Sequence, residues 1–362
     1  MEKEWYSPLP LPASVKLDTP QLKTKLERTK KAFQEMENYM QTLSNLPGIA
    51  YLLAVLEAKD SLENEGVSTS FEKVFCTGLN SYTTNGTREV REVWGCFAAQ
   101  VFGMRRIPEK GKFELDDLFE IERLIRGNTE TLRNKALYYP HDGVQTYSAV
   151  PPKTPGAIRR LMDNLLLYVN NDSLIKQDPL LKAAIFHGQF RAIHPFPNGN
   201  CRTGRLFTYI YLYMKGHLHV PALCFSRILL ENVRERNRVL YDILHYGKWD
   251  EWLLGSQILL TESARRTEKL ARILNDFYQE LNDKVACSKK IDHPEKTVQC
   301  LFEHPCLTVS HYTGYTNIIY QSAQSQLDIL IGLKLVERKT IDGEVYYINR
   351  DLLRLLEDFS NQ

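Results

Sequence analysis

Residues 194–205 read HPFPNGNCRTGR, and nearly every side chain in the run suits the handling of a phosphate. His194 is a general base with a pKa close to neutrality. Arg202 and Arg205 bring fixed positive charge in a fork that matches phosphate oxygens. Gly199 lets the backbone approach a ligand closely, and Asn200, Cys201, Arg202, Thr203 and Gly204 follow it with their N–H groups. Asn198 offers an amide oxygen that can ligate Mg²⁺ carried on a phosphate.

Two helices position this run. KAAIFHGQFRAI is amphipathic and leads into His194, and RTGRLFTYIYLYM starts a second helix near Arg202. The loop between them enters a helix N-terminus, where free N–H groups and the dipole favour an anion. Helices are expected over 21–45, 47–66, 71–79, 88–103, 115–126, 155–170, 178–191, 203–216, 229–245 and 250–285, with a short hairpin around 135–152. The first 20 residues carry Pro8, Pro10, Pro12 and Pro20 and read as extended. Residues 286–294 read as a linker. After it come three helical stretches and two strands around Asp342–Gly343, the order of a winged helix-turn-helix.

Composition excludes several classes. The 362 residues carry a net charge of +2, which gives no global pull towards nucleic acid or a membrane surface. The seven cysteines form no CxxC pair, so neither a disulfide framework nor a zinc cage is expected, and a reducing cytoplasmic setting is. No signal peptide and no apolar run of about 20 residues is evident. The histidines outside the run show no ligand spacing.

HPFPNGNCRTGR resembles the signature of the Fic family, H-x-F-x-[D/E]-G-N-[G/K]-R-x-x-R, through His194, Phe196, Gly199, Asn200, Arg202 and Arg205. Ala184, His187 and Phe190 resemble the helix that precedes it. The resemblance covers roughly 45–285. It implies a mainly α fold: a Fic-type helical bundle with a short β-hairpin flap, here with a C-terminal winged helix-turn-helix. The organisation expected is an N-terminal helical region over 1–110, a catalytic core over 111–285 and the winged helix over 295–362.

The activity implied is transfer of AMP from ATP to a Tyr, Thr or Ser hydroxyl of a target protein. His194 would take the hydroxyl proton. The 199–201 backbone and Asn200 would form the anion hole, Arg202 would bind phosphate and Arg205 would hold the γ-phosphate. Phe196 would be buried and fix the loop. Two departures stand out. Asn198 replaces the acidic Mg²⁺ ligand, which implies weaker metal affinity, lower activity or another nucleotide. Cys201 replaces Gly or Lys and is strained if that position needs a positive φ.

Ser61–Gly66 reads SLENEG and resembles the Fic inhibitory pattern [S/T]-x-x-x-E-[G/N]. By that resemblance Glu65 caps Arg205 and competes with the γ-phosphate, with Glu63 as the plainer alternative. TYSAVPP at 146–152 resembles the flap that registers an extended target segment. NRVLYDIL at 237–244 resembles a helix on which Tyr241 lines the nucleoside pocket, a core aromatic being the alternative. The winged helix invites DNA binding, through Gln321, Gln324, Gln326 and the nearby Arg338 and Lys339. Its recognition stretch lacks Lys and Arg, which disfavours DNA and favours target docking or self-association; a homodimer is left open. Removal of AMP at the same site, or a weakly catalytic nucleotide- or DNA-binding regulator, remain the alternatives.

Overall fold

The structure is a computed structural model. It describes residue 11 and residues 18–78, 86–127, 131–135, 154–173, 176–220, 223–231, 238–240, 242–243, 246 and 248–362. The expected flap at 146–152, Tyr241 and most of the proline-rich first 20 residues lie outside these. The described residues are mainly helical and form two compact units, one from Met1–Asn38 and Gly95–Arg266, the other from Tyr39–Trp94 and Thr267–Gln362. Helices α1 (Pro20–Met40), α4 (Arg88–Lys110) and α10 (Asp250–Ala286) contribute to both. Among the described residues no helix is long and apolar enough to cross a membrane.

The first unit also holds α5 (Leu115–Arg126), α6 (Pro155–Asn170), α7 (Pro179–Ile193), α8 (Asn200–Met214) and α9 (Ser226–Glu231). Local sequence sets their ends. A capping box of Glu114 and Asp117 starts α5, and Gly127 ends it in the left-handed region. Asp178 accepts from the Leu180 N–H at 3.0 Å and Pro179 occupies the first turn, which starts α7. Helices α7 and α8 bury aromatic faces against each other, with Phe186, Phe190 and Phe207 fully enclosed and Phe113 closing the cluster 5.0 Å from Phe207. Small residues permit the close approach. A Cβ on Gly204 would stand 3.1 Å from Phe190 Cδ1, and one on Gly188 would stand 2.7 Å from Trp252 Nε1. The Trp252 indole donates to the Ala184 carbonyl at 2.8 Å and ties α10 to α7.

Apart from the expected helix over 229–245, where the structure has α9 over Ser226–Glu231 and much of the span lies outside the described residues, the helices fall close to the expected spans, with two differences that matter. Helix α8 begins at Asn200 rather than 203, because Gly199 takes φ +74° and turns the chain directly into the helix. Its N-terminus therefore stands inside the HPFPNGNCRTGR run. Helix α4 continues to Lys110, its Pro108 falling in the last turn.

In the second unit, α2 (Leu46–Glu63) has Pro47 in its first turn and Asn45 as its N-cap. The winged-helix order is α11 (Pro294–Glu303), β1 (Cys306–Leu307), α12 (Val309–Thr316), α13 (Tyr320–Gly332), β2 (Glu337–Ile341), β3 (Glu344–Ile348) and α14 (Arg350–Asn361). The antiparallel sheet runs β1-β3-β2, with Ile341 opposite Glu344 across the Asp342–Gly343 turn. Both turn residues have positive φ, at 49° and 83°, as a two-residue hairpin requires. Helix α3 (Phe71–Gly78) joins this unit through Glu72, which accepts from Lys339 at 2.6 Å and pairs with Arg350.

Candidate active site

His194 terminates α7 in the left-handed region at φ 49°, ψ 64°, its N–H bonded to the Phe190 carbonyl at 2.8 Å. That conformation is uncommon away from glycine and must be held by its surroundings. Arg133 bonds the backbone at this turn. Its buried guanidinium donates to the carbonyls of His194 at 2.6 Å, Ile193 at 3.1 Å and Lys135 at 2.9 Å. Its own backbone N–H donates to the Pro195 carbonyl at 2.9 Å. The last carbonyls of α7 are thus met by a cation, which the helix dipole favours.

His194 is half-buried. Burial, then the positive charges of Arg191 and Arg133, push its pKa down to about 3. A hydrogen bond to the Arg191 backbone pulls the other way. With one ring nitrogen donating to that carbonyl, the other carries a lone pair and can accept a proton.

Past His194 the chain is held by Asn200. Its Oδ1 accepts from the Phe196 N–H at 2.9 Å and its Nδ2 donates to the Phe196 carbonyl at 2.7 Å, so the side chain closes the loop on itself. What Asn200 presents to a phosphate is then its backbone N–H, at the first position of α8. Phe196 is fully buried, 5.8 Å from Phe119 and 6.5 Å from Phe190. Asn198 is exposed.

Under the loop stands Glu122 of α5, fully buried. Its Oε2 accepts from Thr203 Oγ1 at 2.9 Å, and a Cβ on Gly199 would fall 2.4 Å from Oε1 and 2.5 Å from Oε2. Gly199 is therefore required twice, by its φ and by this carboxylate. Cys201, in the first turn of α8, has no positive φ, so its side chain is accommodated without backbone strain. Arg202 and Arg205 are both buried on α8, 1% and 3% exposed. The start of α8 thus carries the backbone N–H groups of 199–201, with Arg202 and Arg205 following on the same helix and His194 just before the loop.

Among the described residues no group of three or more His, Cys, Asp or Glu could hold a metal ion. Asn198 offers one exposed amide oxygen, a donor of the kind that suits Mg²⁺. None of the seven cysteines is in a disulfide.

The remaining sequence expectations fall as follows. Glu65 stands in the turn after α2, its N–H on the Leu62 carbonyl at 2.9 Å, with Gly66 at φ +77°. It belongs to the second unit and Arg205 to the first. Glu63 pairs with Lys59 at 2.6 Å. His187 packs between Phe225 and Trp252, each ring centroid 5.7 Å away. It also borders a cavity of about 270 Å³ lined by Leu229, Val239, Trp252, Gly255 and Leu259, which none of the described residues 194–205 lines. Gln326 is corrected as a base-contacting candidate: it is 3% exposed and bonded to Tyr312 and Asp292. Gln321 and Gln324 are exposed. Arg133 and Glu122 were not anticipated.

The loop lies within a segment that resembles known proteins. Residues 112–212 match the model of the Fic/DOC family. Protein adenylyltransferase fic-1 of Caenorhabditis briggsae is 30% identical over 131 residues, 36% of this chain and 25% of that protein. A probable protein adenylyltransferase of Aquifex aeolicus (strain VF5) is 36% identical over 69 residues, 19% of this chain and 21% of that protein. The chain thus spans about a quarter of the length of the curated relatives it matches. In fold, a Fic family protein from Desulfovibrio desulfuricans G20 aligns with a TM-score of 0.58 at 17% identity, covering 93% of this chain and 97% of that one. Fic-1 (residues 134–508) from Caenorhabditis elegans aligns with a TM-score of 0.53 at 20% identity, covering 70% and 74%. Residues 112–212, which hold the loop, helix α7 and most of α8, are thus a Fic/DOC domain, and the chain shares the fold of these Fic proteins.

Proposed function

We propose that the protein transfers AMP from ATP to a hydroxyl side chain of a target protein. The observation that carries this reading is the pairing, at the α7–α8 loop, of an unprotonated His194 with a helix N-terminus backed by Arg202 and Arg205. The target hydroxyl gives its proton to the lone pair of His194. Its oxygen attacks the α-phosphorus in line, the bond from that phosphorus to the bridging oxygen breaks, and pyrophosphate leaves. The N–H groups of 199–201 carry the charge on the α-phosphate, and Arg202 and Arg205 carry that on the outer phosphates. Asn198 would be the residue to hold a Mg²⁺ ion, which would supply charge neutralisation on the phosphates, through an amide oxygen where the Fic signature has a carboxylate.

Glu65 is proposed as a brake, its carboxylate competing with the γ-phosphate for Arg205. The winged helix is proposed as a docking module for the target protein or a second copy of the chain. Helix α13 has no Lys or Arg and exposes Tyr320, with Ile319 just before it, and Lys339 in the wing is paired with Glu72.

Intact mass after incubation with Mg²⁺ and ATP tests the reading, for the wild type beside Glu65→Gly and Glu65→Gly/His194→Ala. The expected result is a gain of one AMP in the Glu65→Gly protein alone. Transfer retained without His194 removes it as the base. No gain in any variant, with a cell lysate as the source of target, favours the second reading, a nucleotide-binding regulator that Asn198 leaves nearly inactive. Loss of AMP from a modified target would instead point to the reverse reaction at this site.

A further inference from the structure

Resting on the reading of His194 as the base, we propose that Arg133 is its positioning residue: the guanidinium fixes the left-handed turn at His194 and so aims the imidazole at the target hydroxyl. Arg133 lies 61 residues before His194 and outside the signature, yet its side chain and backbone bond three consecutive carbonyls, those of Ile193, His194 and Pro195. These are the residues where α7 ends and the loop begins. A fourth bond, from Nη1 to the Lys135 carbonyl, fixes the guanidinium plane from its own segment.

The arrangement needs arginine. Two donors must reach adjacent carbonyls at 2.6 and 3.1 Å while a third points back to residue 135, which is fork geometry. A lysine ammonium keeps the charge and reaches one or two of these oxygens from a flexible stem. Released from the fork, His194 relaxes towards φ < 0, where a non-glycine residue is more stable, and the ring turns away from the loop. The charged groups that bear on the imidazole are Arg191, on α7, and Arg133 itself. Position and charge are therefore separable: Arg133→Lys disturbs the first alone, and Arg133→Gln disturbs both.

The experiment uses the full chain, with and without Glu65→Gly, and the two Arg133 variants. It measures the single-turnover rate of AMP transfer, the affinity for a non-hydrolysable ATP analogue, and the ¹³C-histidine NMR titration of His194, assigned with His194→Ala. Both variants are expected to lose about 100-fold in transfer rate at saturating nucleotide, the effect of roughly 1 Å of misplacement, with analogue affinity unchanged. The His194 resonance shifts in both, and in Arg133→Gln its titration moves up towards the ordinary histidine range. An Arg133→Lys protein that transfers at the parent rate, or that loses only nucleotide affinity, overturns the proposal. If the parent transfers no AMP, the proposed function fails, but a His194 resonance unchanged in both variants still overturns the clamp and a shifted one still supports it. If Arg133→Gln does not fold, the lysine variant decides alone.

Discussion

The carboxylate of Glu122 lies directly beneath Gly199, so close that a methyl group on the glycine would stand 2.4 Å from Oε1. The glycine of the signature is thus matched to a residue 77 positions earlier on another helix (199 − 122). Gly199→Ala meets this carboxylate and a φ of +74° together, and is expected to lower both stability and AMP transfer. In a double-mutant cycle the steric share should couple to Glu122. Gly199→Ala should cost less stability in a Glu122→Ala background than in the wild type, by more than about 0.5 kcal/mol. Strict additivity in chemical denaturation would show that only the backbone conformation matters.

The depressed pKa of His194 fixes the sign of two pH effects. The folded protein holds His194 neutral down to about pH 3, whereas the unfolded chain protonates it near 6.5. As pH falls below 6.5 the unfolded state binds a proton that the folded state does not, so this residue's contribution to stability declines towards pH 3. His194→Ala removes that dependence. The difference in denaturation midpoint between wild type and His194→Ala should therefore move in favour of the variant between pH 7.5 and pH 5.

Kinetics read the same shift differently. The acid limb of kcat/KM reports the free protein and should show no inflection near 6.5 from His194. Bound nucleotide sets negative phosphates against the positive charges of Arg191 and Arg133, which raises the pKa of the base. The acid limb of kcat should then lie at higher pH than that of kcat/KM. Coincident limbs would mean that the phosphates do not act on the ring.

Thr203 tests the other half of the loop. Its hydroxyl donates to a fully buried carboxylate, and Thr203→Val removes the donor while keeping the shape. A cost of about 1–3 kcal/mol in unfolding free energy is expected, with Thr203→Ser close to wild type. If valine is as stable as serine, the Glu122–Thr203 bond does not support the turn.

The loop itself was legible because its chemistry is contiguous: histidine, glycine, asparagine and two arginines within 12 residues also dictate a helix end and a helix start. The helices were legible from apolar spacing, since their faces are buried as the spacing requires. Arg133 and Glu122 were not, because neither sits in a local pattern. Glu122 lies on an amphipathic helix where an isolated glutamate reads as solvent-facing, and Arg133 lies in a short segment without periodicity. Their partners are 61 and 81 residues away, and only the fold brings them there. The start of α8 at Asn200 was missed for a related reason: Gly199 reads as a loop residue, but its left-handed φ makes it the helix cap.

Asn198 is a position where this chain departs from the Fic signature, and its exposure makes it the easiest to restore. An amide oxygen can ligate Mg²⁺ but brings no charge, whereas a carboxylate adds a Coulombic attraction that survives partial screening at the rim of the site. Asn198→Asp changes no packing, because the side chain is solvent-facing. It is expected to lower the Mg²⁺ concentration for half-maximal AMP transfer by about tenfold, equal to about 1.4 kcal/mol of added metal affinity. The added charge also stands near the phosphates, so the gain should appear in the Mg²⁺ requirement rather than in affinity for metal-free nucleotide, which should weaken. A Mg²⁺ titration of transfer, run beside nucleotide binding in EDTA, separates the two. An unchanged Mg²⁺ requirement would remove residue 198 from the metal's coordination.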